Sequence, residues 1–98
     1  MTKHDKKIRA TANRYKKNGW RVRADISGFN RPDSIGKYKR VPDVVARKGR
    51  QTRIFEIETP KSLKTDRAQR SAFSKHAANK SNTTFKVLVA KKTRKKKR

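Results

Sequence analysis

Between Val41 and Pro60 the chain reads Val-Pro-Asp-Val-Val-Ala-Arg-Lys-Gly-Arg-Gln-Thr-Arg-Ile-Phe-Glu-Ile-Glu-Thr-Pro, and no other stretch limits the fold as strongly. Two short apolar runs, Val41 to Ala46 and Ile54 to Ile57, flank a basic turn around Gly49. β-Branched and aromatic residues suit a pleated strand and glycine suits a tight bend, so the stretch predicts a β-hairpin. It also carries Asp43, Glu56 and Glu58, three of the seven acidic residues in a chain with 31 Lys and Arg. Glu56 and Glu58 stand two apart and so project from one face of a strand. With Asp43 on the partner strand turned the same way, three carboxylates are expected to converge on one point. Such a cluster repels itself unless protons or a cation neutralise it. Oxygen ligands of this kind suit Mg²⁺ or Mn²⁺.

The surplus of positive charge is the second constraint. The net charge is +24 over 98 residues, of which only 31% are hydrophobic and 39% charged. That describes one domain near the lower end of self-sufficient size, with a small core. A polyanion is the natural partner for it. Seven of the eight residues from Lys91 to Arg98 are basic, so 91–98 reads as a self-repelling, disordered tail behind a single domain at 1–90. Without those seven charges the body keeps a net +17 (24 less 7), so the basicity belongs to the domain itself. The absence of cysteine rules out disulfides and thiolate metal sites. No apolar stretch matches the hydrophobic segment of a signal peptide or a membrane span. The expectation is a cytoplasmic protein without a membrane partner, associated with the nucleoid when bound to DNA.

Around the hairpin the chain alternates helical and extended patterns. Thr2 and Asp5 form a capping-box pair, and Ile8, Ala12 and Tyr15 recur at spacings of four and three. Asn18-Gly19 ends that pattern, which predicts a helix over 3–18. Trp20, Val22, Ala24 and Ile26 alternate with Arg21, Arg23 and Asp25, the mark of a half-buried strand. Residues 27–40 are rich in turn formers, and with Arg31, Lys37, Tyr38, Lys39 and Arg40 they read as a mobile basic arm suited to a nucleic-acid groove, or as a solvated loop. After Pro60, Ser62 or Thr65 caps a second helix over 65–79 with an apolar stripe of Ala68, Ala72, Phe73 and Ala77. Thr84 to Ala90 is a last strand, apolar enough to be central. The order is α-β-β-β-α-β: an α/β (α+β) fold in which a four-stranded mixed sheet is flanked by two helices.

That order, with Pro42-Asp43 opening the second strand and Glu56-Ile57-Glu58 ending the third, resembles the core of the PD-(D/E)XK nuclease superfamily, the restriction-endonuclease-like fold shared by archaeal Holliday-junction resolvases and repair nucleases. The resemblance covers residues 3–90. It implies that Asp43 and Glu56 match the family's acidic metal ligands, and that Gln69 matches a polar residue which assists the site. Glu58 stands where the family usually has lysine. It implies further a Mg²⁺- or Mn²⁺-dependent endonuclease that hydrolyses phosphodiester bonds in DNA, branched or junction DNA included, and that works as a homodimer. In place of the missing lysine, either Glu58 acts as a further ligand or general base, or Lys61 or Lys64 reaches back to supply the ammonium. The third alternative is an inactive descendant that only binds DNA.

Each residue also has an ordinary structural reading. Asp43 alone suits a turn, Glu58 suits a cross-strand partner for Lys or Arg, and Gln69 suits a solvated helix face. Pro32-Asp33 lacks a strand signal and reads as a turn. His4 and His76 have no partners at metal-ligand or triad spacing and read as structural. Asp66 suits the positive end of the second helix. A non-enzymatic basic nucleic-acid binder accounts for the charge but leaves the clustered carboxylates unexplained. Binding to an anionic membrane surface is disfavoured, because no helix pattern offers a broad apolar face.

Overall fold

The computed structural model describes residues 2–90, so the basic tail expected at 91–98 lies outside the described residues. The elements are α1 (Lys3–Lys17), β1 (Arg21–Ala24), β2 (Val44–Lys48), β3 (Gln51–Glu58), α2 (Ser62–Thr65), α3 (Arg67–Ala78) and β4 (Thr83–Val89). They form an α+β fold around one mixed sheet in the order β1-β2-β3-β4. The first two pairings are antiparallel. β3 and β4 run parallel, joined by a crossover through α2 and α3.

The hairpin forms as its residues dictate. Lys48 pairs with Gln51, leaving Gly49-Arg50 as a two-residue turn. Gly49 takes a φ of +60° whereas Arg50 keeps a negative φ, the pattern of a type II′ turn, whose twist matches the flanking strands. α1 starts where Thr2 Oγ1 accepts the Asp5 N–H at 3.0 Å. It lays Ile8 and Ala12 on one sheet face against Ala24, Val44, Phe55 and Ile57. α3 covers the other face, where Phe73 packs with Ile35, Val45 and Ile54. Burying each large apolar side chain such as Ile8, Ile57 or Phe73 stabilises the fold by roughly 1.5–3 kcal/mol. No helix among the described residues is long and apolar enough to cross a membrane.

Four expectations change. The second helix is two pieces, because Thr59 and Ser62 start a helical turn early and the chain kinks at Asp66 (φ −96°, ψ 37°). Ala68, placed in the apolar stripe, is exposed, while Phe73 and Ala77 are buried as expected. β4 is an edge strand, not a central one. Its apolar residues are sheltered by the layers on its two faces, with Phe85 against Phe73 and Leu88 against the α1 side. Residues 27–40, read as a mobile arm or a solvated loop, are anchored in their second half: Ile35 is buried in the α3-side core, and Ile35 and Arg40 exchange backbone hydrogen bonds of 2.7 and 3.1 Å.

Candidate active site

The acidic residues meet where β2 begins and β3 ends. Alternation along β3 turns Phe55 and Ile57 toward α1, and Glu56 and Glu58 toward α3. Continuing the register in which Val44 faces Phe55 sets Asp43 opposite Glu56 and Pro42 opposite Ile57. Proline has no N–H, so the ladder cannot continue through it. Beside it the Ile57 N–H is accepted by the Asp43 side chain, through Oδ2 at 2.8 Å. On the other edge of β3 the Glu58 carbonyl accepts the Ala90 N–H at 2.7 Å. By alternation the Ile57 peptide groups face the Asp43 side, where Pro42 offers the Ile57 carbonyl no donor.

Asp43 and Glu56 are both buried, at 8% and 3% exposure. Burial raises the Asp43 pKa above the ordinary carboxylate range, opposed by the Ile57 N–H and by His4. Glu56 is pushed up to about 8, first by burial and then by the Asp43 charge, with the Gln69 amide pulling the other way and Glu58 adding to the rise. Free of a cation, Glu56 therefore keeps its proton up to about pH 8. The Gln69 Nε2 donates to Glu56 Oε2. Glu56 Oε1 is buried without a hydrogen-bond partner.

The three expected carboxylates resolve into a pair and a separate third. Glu58 shares the face of Glu56 but is engaged elsewhere: the Ser62 hydroxyl donates to its Oε1, and Arg70 Nη1 lies 3.6 Å from its Oε2. Among the described residues, no three His, Cys, Asp or Glu side chains gather as a metal-holding group. His4, read from the sequence as an isolated structural residue, instead comes to the pair, with Nε2 3.4 Å from Asp43 Oδ2. Its arrival depends on where the first turn of α1 lands against the start of β2, and no local pattern carries that information. His76 sits on α3, its pKa lowered by burial and by Lys80.

The basic residues singled out from the sequence surround this end unevenly. Lys61 and Lys64 are exposed on and just before α2, immediately past β3. Lys37, Tyr38 and Arg40 line a groove against Ala68, Ala72 and Lys75 of α3, on the same face of the sheet as Glu56. Tyr38 is 71% exposed, with Lys37 Nζ and Arg40 Cζ 5.5 and 5.7 Å from its ring centroid. Lys39 is exposed beside it. Arg31 is held back, 3.7 Å from Asp25. No family model, curated protein or solved structure matches this chain.

Proposed function

We propose that this protein is a metal-dependent endonuclease that hydrolyses phosphodiester bonds in DNA, in the manner of the PD-(D/E)XK nucleases its sequence resembles. The observation that carries the reading is the orphaned Oε1 of Glu56, buried beside Asp43 in a protein of net charge +24. Two adjacent buried carboxylates, one of them protonated for want of a counter-charge, are a poor structural device. They are a good oxygen-donor set for Mg²⁺ or Mn²⁺. Asp43 and Glu56 would hold the ion together with the open carbonyl of Ile57. When bound, such an ion supplies a Lewis acid for a phosphate oxygen and lowers the pKa of the attacking water.

The chain's own residues do the rest. Gln69 holds one oxygen of the Glu56 carboxylate and leaves the other without a partner. His4 restrains Asp43 from the α1 side. Glu58, clasped by Ser62 and Arg70, ties the start of the crossover to the end of β3. Lys61 and Lys64 stand one step past that point, where an ammonium group reaching back would orient or polarise the attacking water in the role the family gives to lysine. Lys37, Tyr38, Lys39 and Arg40 track the flanking backbone on the α3 face. A branched or junction DNA cut by a homodimer is the substrate and assembly the resemblance suggests. A second reading, a basic DNA-binding protein without catalysis, is favoured by the engagement of Glu58 and the lack of a third gathered ligand among the described residues.

One assay separates the two readings. Purified protein is incubated with branched, duplex and single-stranded DNA in Mg²⁺, in Mn²⁺ or in chelator, beside Asp43→Asn and Glu56→Gln. Metal-dependent cutting that both variants lose while retaining DNA binding supports the nuclease. Uncut DNA in every lane, with all three proteins bound to it, establishes the binder.

A further inference from the structure

At the hairpin end of the sheet, away from the carboxylates, the face that α1 covers only in part carries a second site. Here a cavity of about 560 Å³ opens between Tyr15 and β4. That lies within the range of roughly 300–1,000 Å³ usual for small-molecule and cofactor pockets. The parallel register sets Arg53 beside Thr84 and Phe55 beside Lys86, so these four side chains share one patch of the face. The Tyr15 ring stands 5.0 Å from that of Phe55, centroid to centroid, and 5.3 Å edge-on to that of Trp20.

Arg53 is held among these rings. Its guanidinium lies 4.9 Å from the Trp20 centroid and 5.9 Å from that of Tyr15, and its Nη1 donates to the Tyr15 hydroxyl at 3.3 Å. A guanidinium has five donors, so most remain for an incoming anion. Beyond the lining, Lys48 Nζ stands 6.0 Å from the Trp20 ring and donates to the Asn18 carbonyl at 3.1 Å. None of the seven acidic residues lines the cavity.

We propose that this cavity seats an unpaired nucleotide of single-stranded DNA, its base against Tyr15 and its phosphates on Arg53 and Lys86. The charge complementarity is one-sided, which selects an anion. Aromatic walls beside fixed cations select one that exposes a flat π-face along with its phosphates. Duplex DNA presents phosphates but keeps its base faces stacked inside, so it satisfies only half of the site. The proposal deepens the function proposed above by making an unpaired strand part of the substrate. It rests on that reading only for nucleic acid as the partner.

The test uses the full chain in chelator and the emission of Trp20, the sole tryptophan. An oligothymidylate of about eight nucleotides should change the emission saturably, while a blunt duplex of matching charge should leave it nearly unchanged. Lys86→Ala, at an exposed position of the edge strand, and Arg53→Gln should each weaken oligothymidylate binding roughly tenfold and shift duplex binding by less than about twofold. Lys86→Ala decides the matter alone if Arg53→Gln disturbs the fold. Equal loss for both DNAs, or an oligothymidylate affinity that Lys86→Ala leaves unchanged, overturns the proposal. Because nothing is cut in chelator, a chain that holds the oligothymidylate here yet cleaves nothing in Mg²⁺ rejects the nuclease alone.

Discussion

At Pro42 the β2–β3 ladder loses its donor, and the consequences reach Asp43, Glu56 and Ile57 together. The Asp43 carboxylate, in place of a backbone carbonyl, accepts the Ile57 N–H, and its charge beside the buried Glu56 helps to hold the proton there. The folded-state pKa of Glu56, about 8, lies above its ordinary value of 4.5, so the folded chain binds this proton more tightly than the unfolded chain. The stabilisation is full below the unfolded value and is lost as pH rises through the folded one. In chelator, Tm should therefore fall between about pH 4.5 and 8, by at least the roughly 4 °C that about 1 kcal/mol makes in a small domain. Glu56→Gln should flatten that fall, and added Mg²⁺ should raise Tm most at the alkaline end. A Tm profile that Glu56→Gln leaves unchanged would remove the buried proton from the account. Gln69 is the second lever on the same carboxylate. Gln69→Ala should lower Mg²⁺-dependent cutting about 10- to 100-fold, as expected when the residue orienting a ligand is removed, with single-turnover rates as the readout.

Between β3 and α3 the chain carries its tightest local construction. Thr59 Oγ1 accepts the Ser62 N–H at 3.1 Å and Ser62 Oγ accepts the Thr59 N–H at 2.9 Å, the reciprocal bonds of a capping box. Pro60, in the first turn, gives up no needed N–H. The same Ser62 hydroxyl reaches Glu58, and Arg70, one turn into α3, completes the clasp while donating to the Leu63 carbonyl at 2.8 Å. Glu58 is 1% exposed, so removing Arg70 leaves its buried carboxylate with the Ser62 hydroxyl and no cation. Arg70→Ala should cost about 3–5 kcal/mol in urea unfolding, whereas the exposed Lys64→Ala should cost less than about 0.5. Near-equal values for the two would show the clasp to be incidental.

Legibility divided along the same line. The stripe of Ile8, Ala12 and Tyr15, the turn at Gly49 and the shared face of Glu56 and Glu58 follow from spacing within one element, and a sequence states spacing. The Arg70 clasp joins residues twelve apart across the kink at Asp66. His4 meets Asp43 across the whole first half of the fold. Neither pairing has a period to betray it. The edge position of β4 was hidden for a related reason: hydropathy reports what covers the faces of a strand, and says little about its edges.

For the molecule as a whole the opposition of charges decides how binding and chemistry are related. Under the proposed function, a body of net +17 would meet DNA mainly through phosphate contacts, each contributing roughly −0.9 to the slope of log affinity against log salt. With six or more such contacts, affinity should fall about a thousandfold or more between 50 and 200 mM salt, read by fluorescence anisotropy. The carboxylate pair works against that field at one spot. In chelator it presents the negative charge that the proton on Glu56 leaves uncancelled, where a phosphate would sit under the proposed function. Asp43→Asn and Glu56→Gln should therefore bind duplex DNA at least as tightly as the parent in chelator, most visibly above pH 8 where Glu56 is ionised, while the salt slope stays the same. Mg²⁺ should remove the difference by tightening the parent and leaving the variants alone. If the variants instead bind more weakly in chelator, the pair does not face the phosphate. The acidic end would then be a folding device inside a cationic binder.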